Sequence, residues 1–132
     1  MATKKVFVSY DYDNDKHYKN LLLAWDANRD FDFYLNDHSV DVSVDSTDAG
    51  AIKRVISSKI NDSTYFLCLI GKQTSKSRWV IWEINKAIEL RKRIVAVKIE
   101  SANESPSVIS GIGATWAMSF KFDSIKKAIE EA

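Results

Sequence analysis

The chain has 132 residues, 45% of them hydrophobic and 28% charged, with 19 basic side chains against 18 acidic ones. That length predicts one domain over 1–132, large enough to bury a full core. The balanced charge gives no electrostatic case for nucleic acid or an anionic membrane, no apolar run reaches spanning length, and a single cysteine excludes a disulfide framework.

The first residues, Met1-Ala2-Thr3-Lys4-Lys5, lead into a strand pattern rather than a secretory segment, so a cytoplasmic location is expected. Residues 5–10 read as the first strand. The polar Asp13-Asn14-Asp15 then introduces a helix in which Tyr18, Leu21, Leu22 and Trp25 recur at helical spacing. Asp13 and Asn14 are the expected caps. Phe31-Asp32-Phe33-Tyr34-Leu35 alternates, which suits a strand near a sheet edge. Ile52, Val55, Ile56 and Ile60 mark a second helix after Asp48 and Gly50.

Residues 65–70 and 94–99 are nearly continuous apolar runs, the pattern of strands covered on both faces of a parallel sheet. The first of them holds Phe66-Leu67-Cys68-Leu69-Ile70, so Cys68 is expected to be a buried thiol. Between the two runs, 77–92 predicts a third helix with an apolar stripe of Val80, Ile84, Ala87 and Ile88. A weaker strand pattern covers 118–122, and a last helix 124–131. One proline, four glycines and no repeat leave nothing that resembles a linker.

Alternating strands and helices imply right-handed crossovers and an α/β three-layer sandwich around a mostly parallel five-stranded sheet. In such sheets ligands bind at the carboxyl ends of strands, near the switch in strand order. The loops after Tyr10, Leu35 and Ile70 are therefore the candidate rim. Ser9, Tyr10 and Asp11 leave the first strand end, and Asn36, Asp37 and His38 the second. A lone loop histidine such as His38 is weak evidence for acid–base work, and His17 reads as a surface residue. Two histidines and one cysteine without shared spacing argue against a metal site.

No nucleophile elbow or Walker A motif is present, and Gly111-Ile112-Gly113 reads as a loop. A phosphoacceptor receiver, for which Lys98 would suit, lacks an aspartate at Leu69-Ile70-Gly71. Glu83 stands at the edge of the third helical stripe, one turn after Trp79. It is either a salt-bridge partner of Arg78 or Lys86, or a working carboxylate at a cleft. Trp82 falls on the opposite, polar side, where a large aromatic implies a partner surface or a covering loop.

The segments 6–18, 23–27, 36–39, 59–65, 79–85, 94–98 and 113–119 resemble the TIR-like family of Thoeris anti-phage defence, the ThsB-type sensors with a flavodoxin-like fold. The first begins Val6-Phe7-Val8-Ser9-Tyr10-Asp11, and the fifth is Trp79-Val80-Ile81-Trp82-Glu83-Ile84-Asn85. The resemblance implies cleavage of the nicotinamide–ribose bond of NAD, with NAD as substrate rather than cofactor. It also implies a cyclic ADP-ribose-type signal that activates a separate effector after a phage-derived trigger. The family's glutamate, in a Trp-x-x-x-Glu setting, corresponds to Glu83, with Trp79 as its partner in the motif. Ser9, Tyr10, Asp11, Asn36, Asp37 and His38 correspond to substrate-binding walls, and Trp79 is likewise expected to bind substrate. A non-catalytic TIR-like interaction module, assembling as a homo-oligomer through Trp82, is the alternative. A flavin carrier is disfavoured because no phosphate loop follows the first strand.

Overall fold

The computed structural model describes residues 4–25, 31–35 and 44–132, and the statements below concern these. Strands β1 (Lys4–Ser9), β2 (Phe31–Leu35), β3 (Tyr65–Ile70), β4 (Arg93–Lys98) and β5 (Thr115–Ala117) form one sheet in the order β2-β1-β3-β4-β5. Every neighbouring pair is parallel. Helices α1 (Lys16–Trp25), α2 (Ala49–Asp62), α3 (Arg78–Glu89) and α4 (Phe122–Glu131) alternate with them.

Side chains along a strand alternate between faces, and here both faces are apolar. Val6, Val8, Leu67, Leu69, Val95 and Val97 pack on one side with Leu22 of α1 and Ile125 and Ile129 of α4. Phe7, Phe66, Cys68, Ile70 and Ala96 pack on the other with Ile56 and Ile60 of α2 and Val80, Ile84 and Ala87 of α3. Phe7 stacks on Phe66 with ring centroids 5.7 Å apart. All six residues of β3 are buried, as its unbroken apolar sequence predicts. Each large side chain so placed contributes about 1.5–3 kcal/mol. The result is the expected α/β three-layer sandwich, with the switch in strand order between β1 and β3.

Local differences from the sequence reading have identifiable causes. The last strand is 115–117 rather than 118–122, and Met118 is exposed. Phe120 instead packs on Trp25 at 4.7 Å and Tyr18 at 5.3 Å, while Phe122 opens α4 and meets Trp25 edge-on. These aromatics bury themselves against α1, not in the ladder. Val55 is 44% exposed and Ile88 38% exposed, so both lie off the buried stripes of their helices. Val55 lies about 100° round the helix from the buried Ile56, and Ile88, two i-to-i+4 steps after Val80, has drifted about 80° from it.

Helix α3 starts at its cap Ser77, whose hydroxyl accepts from the Val80 amide at 3.3 Å. It stops at Glu89 rather than 92. Lys92 N–H bonds Ala87 carbonyl and Arg91 N–H bonds Ile88 carbonyl, both at 3.0 Å. That pairing is a Schellman end, with Arg91 in the left-handed region at φ 57°. The caps expected of α1 also differ: the Asn14 amide donates to Asp11 Oδ2 at 2.7 Å, and Asp15 stands directly before the helix. Among the described residues no helix is long and apolar enough to cross a membrane.

Candidate active site at the carboxyl end of the first strand

Ser9 is the last residue of β1 and points to the same sheet face as Phe7, in register with Cys68. Helix α3 covers that face. Its buried residues are Val80, Glu83, Ile84 and Ala87, so the carboxylate sits within the apolar contact rather than at its rim. Glu83 is 3% exposed, and the Ser9 hydroxyl donates to its Oε1 at 2.6 Å. That is the length of a hydroxyl bonded to a carboxylate. A carboxylate taken out of water needs such donors, and this one comes from a residue 74 positions away. Sheet register and helix docking together make the pair.

The two cations considered as ion-pair partners of Glu83 are engaged elsewhere: Arg78 pairs with Asp45, and Lys86 with Glu89 at 2.8 Å. Trp79, one turn before Glu83, is half-buried and meets Trp82 edge-on at 6.0 Å. Trp82 is half-buried as well. Lys53 of α2 and Lys86 each lie 5.7 Å from its ring centroid. Among the described residues, the Lys53 side chain of α2 lies over this aromatic.

The other candidates divide. Tyr10 is buried on the opposite face, among the residues that pack with α1 and α4, and its ring lies 6.2 Å from that of Tyr12. Asp11 is buried in the loop after β1, where it accepts from Asn14. Asn36, Asp37 and His38 lie outside the described residues. The structure thus brings Ser9, Trp79 and Glu83 to one end of one face. His17 is exposed on α1. Among the described residues, no group of three or more His, Cys, Asp or Glu side chains is placed to hold a metal ion.

Two buried polar residues beside this site were not apparent from the sequence. Asp15 turns its carboxyl across the switch point to Thr74, whose Oγ1 lies 3.3 Å from Asp15 Oδ2. Burial, and then the charge of Asp11, lift the Asp15 carboxyl to about 6, while the Thr74 hydrogen bond opposes them. The Cys68 thiol is pushed up by burial first and then by the charges of Glu83 and Asp15, so it stays protonated. No local sequence signal marked this cluster, because Asp15 meets Gly71 and Thr74 only through the fold.

A family model described as the TIR-like domain of Thoeris protein ThsB matches residues 7–104, a span holding Ser9, Trp79 and Glu83. The chain is 35% identical over 63 residues to "Putative cyclic ADP-D-ribose synthase ThsB1" of Bacillus cereus (strain MSX-D12). That alignment covers 48% of this chain and 33% of the relative, so the likeness spans about a third of the relative's length. Among solved structures, a conserved protein from Enterococcus faecalis V583 aligns with a TM-score of 0.57 and 17% identity. It covers 73% of this chain and 64% of that one, and shows the fold alone. The TIR domains of an activated Roq1 resistosome align with a TM-score of 0.48 and 15% identity, over 76% of this chain and 61% of theirs. By the match across 7–104, the chain belongs to the TIR-like domain family of Thoeris protein ThsB.

Proposed function

We propose that this chain cleaves NAD, releasing nicotinamide and forming a cyclic ADP-ribose-type signal for a separate effector of anti-phage defence. The observation that carries the reading is the buried Ser9–Glu83 pair at the carboxyl end of β1, beside the switch point. Family membership and the name of the Bacillus cereus relative support it.

The chemistry suits a carboxylate without a metal. When the bond between ribose C1′ and nicotinamide nitrogen breaks, its electron pair returns to the pyridinium ring, and nicotinamide leaves neutral. Positive charge then develops on the ribose as an oxocarbenium ion. A carboxylate bonded to ribose hydroxyls stabilises that charge more in the transition state than in the ground state. Low dielectric around Glu83 strengthens the effect, and the Ser9 hydroxyl holds the carboxylate in one orientation. Attack on C1′ by the adenine or ribose of the same molecule, with loss of a proton, closes a ring. Attack by water gives the linear product.

Purified protein given NAD, with and without lysate of phage-infected cells, should release nicotinamide. Glu83→Gln keeps the shape and removes the charge, and should lower the rate by at least about a hundredfold. Survival of activity in that variant would sink the mechanism.

The 3% exposure of Glu83 favours a second reading, in which the pair is a structural pin in a non-catalytic interaction module assembling through Trp82. Gel filtration and nicotinamide release measured on one sample separate the two. Oligomers without nicotinamide support the module.

A further inference from the structure

The sheet β2-β1-β3-β4-β5 ends in two edge strands, and they are finished differently. An edge presents a row of backbone N–H and C=O groups to whatever can pair with them, and charged side chains are a common guard against that. Strand β2 carries the exposed Asp32. Strand β5 carries no such guard. Residues 105–120 form the longest uncharged stretch of the sequence, in a chain of which 28% is charged. No proline interrupts 107–120. Among the described residues, no loop adds a backbone hydrogen bond to 115–117 beyond the ladder with β4.

Apolar surface gathers at the same place. Five large hydrophobic side chains are exposed among the described residues, and three of them, Ile112, Trp116 and Met118, belong to β5 or flank it. Scattered singly such residues need no explanation, whereas a cluster marks an interaction site. Register explains why they stay open. Ala117, level with Val97, packs on the α4 side, and the Thr115 hydroxyl donates to the Ala128 carbonyl there at 2.7 Å. Trp116, level with Ala96, stands on the opposite face, which α2 and α3 cover further into the sheet. At the edge the indole keeps 37% of its surface exposed.

We propose that β5 is the interface of a two-fold dimer, in which it pairs antiparallel with β5 of a second copy and Trp116 lies against the partner's Trp116. A two-fold closes the assembly, whereas seating β5 on the β2 edge of the next copy would bring in Asp32 and propagate without end. With Trp116 at the axis, Thr115 faces the partner's Ala117 and Ala114 faces the partner's Met118. Every opposed pair is uncharged. The charges nearest this edge of the sheet, Arg93 and Lys98, terminate β4. They stand three strand spacings, about 14 Å, from the partner's β4, beyond a screening length of about 8 Å.

Ladder bonds and the cross-strand aromatic pair supply the affinity. The contact is nevertheless small, because β5 has only three residues. It falls short of the roughly 800 Å² per partner of a standard interface, so Kd should be on the order of 100 µM.

The proposal rests neither on the NAD reading nor on the module built through Trp82, and its test uses the full chain without NAD. Sedimentation velocity from about 10 µM to about 1 mM should show monomer passing to dimer. Trp116→Lys and Trp116→Glu each place two like charges on the axis, and each variant should stay monomeric throughout. An equimolar mixture of the two should dimerise again, because only a two-fold sets residue 116 against itself. Wild-type amide resonances should shift with concentration at 114–118 and stay fixed around Trp82. A wild type that is monomeric at about 1 mM overturns the proposal. So does dimerisation that survives in both variants, or a mixture that does not recover it. Concentration-dependent shifts centred on Trp82 also overturn it, since they place the contact on α3. The wild-type shifts decide alone if the variants do not fold.

Discussion

Replacing Ser9 with alanine removes one hydroxyl and almost no volume, so it isolates the donor that holds Glu83. The bond is 2.6 Å long and both partners are buried. Hydrogen bonds to charged groups contribute about 1.5–3 kcal/mol. A loss near 2 kcal/mol lowers the melting temperature of a domain of this size by about 8 °C. A double-mutant cycle of Ser9→Ala and Glu83→Ala, read by urea unfolding, should give a coupling of about 1.5 kcal/mol or more. In nicotinamide release, Ser9→Ala should lower kcat about tenfold, the equivalent of about 1.4 kcal/mol in the barrier. It should leave KM nearly unchanged, since Ser9 is 1% exposed and touches the carboxylate. A coupling below about 0.5 kcal/mol refutes the orienting role. So does a raised KM with normal kcat, which would place Ser9 against the substrate itself.

Two further substitutions or probes test other parts of the fold. Arg91→Gly should stabilise the protein by about 1 kcal/mol in urea unfolding, because Arg91 is exposed and holds a left-handed φ of 57° at the end of α3. A thiol reagent at pH 8 should leave Cys68 unmodified in the native protein and react at once in guanidinium, because burial keeps the thiol covered and protonated. Fast native labelling would show that the face between β3 and α3 opens readily.

Much of the fold was readable from local pattern. Residues 65–70 and 94–97 are apolar at every position and became buried parallel strands, while the alternating 31–35 became the edge strand β2. Pattern misled where an apolar residue had two possible partners. Phe120 and Phe122 resembled a strand but pack on Trp25 and Tyr18 of α1. Val55 and Ile88 fitted helical stripes that turned out narrower than the spacing allowed. In the candidate site, the Trp-x-x-x-Glu motif pointed to Glu83. Ser9, whose hydroxyl bonds that carboxylate, stands among the strand-end residues that the sequence marks as the rim.

The sequence by itself determined which segments would be strands and helices, because periodicity and apolar content are properties of a few neighbouring residues. It also marked the family through motifs spread along the chain. Tertiary structure alone decided that Glu83 is buried and bound to Ser9 across 74 positions, and that Asp15 meets Thr74 across 59. Those pairings depend on parallel register and on which face each helix covers. Such relations arise only when separated segments dock, and no local pattern encodes them.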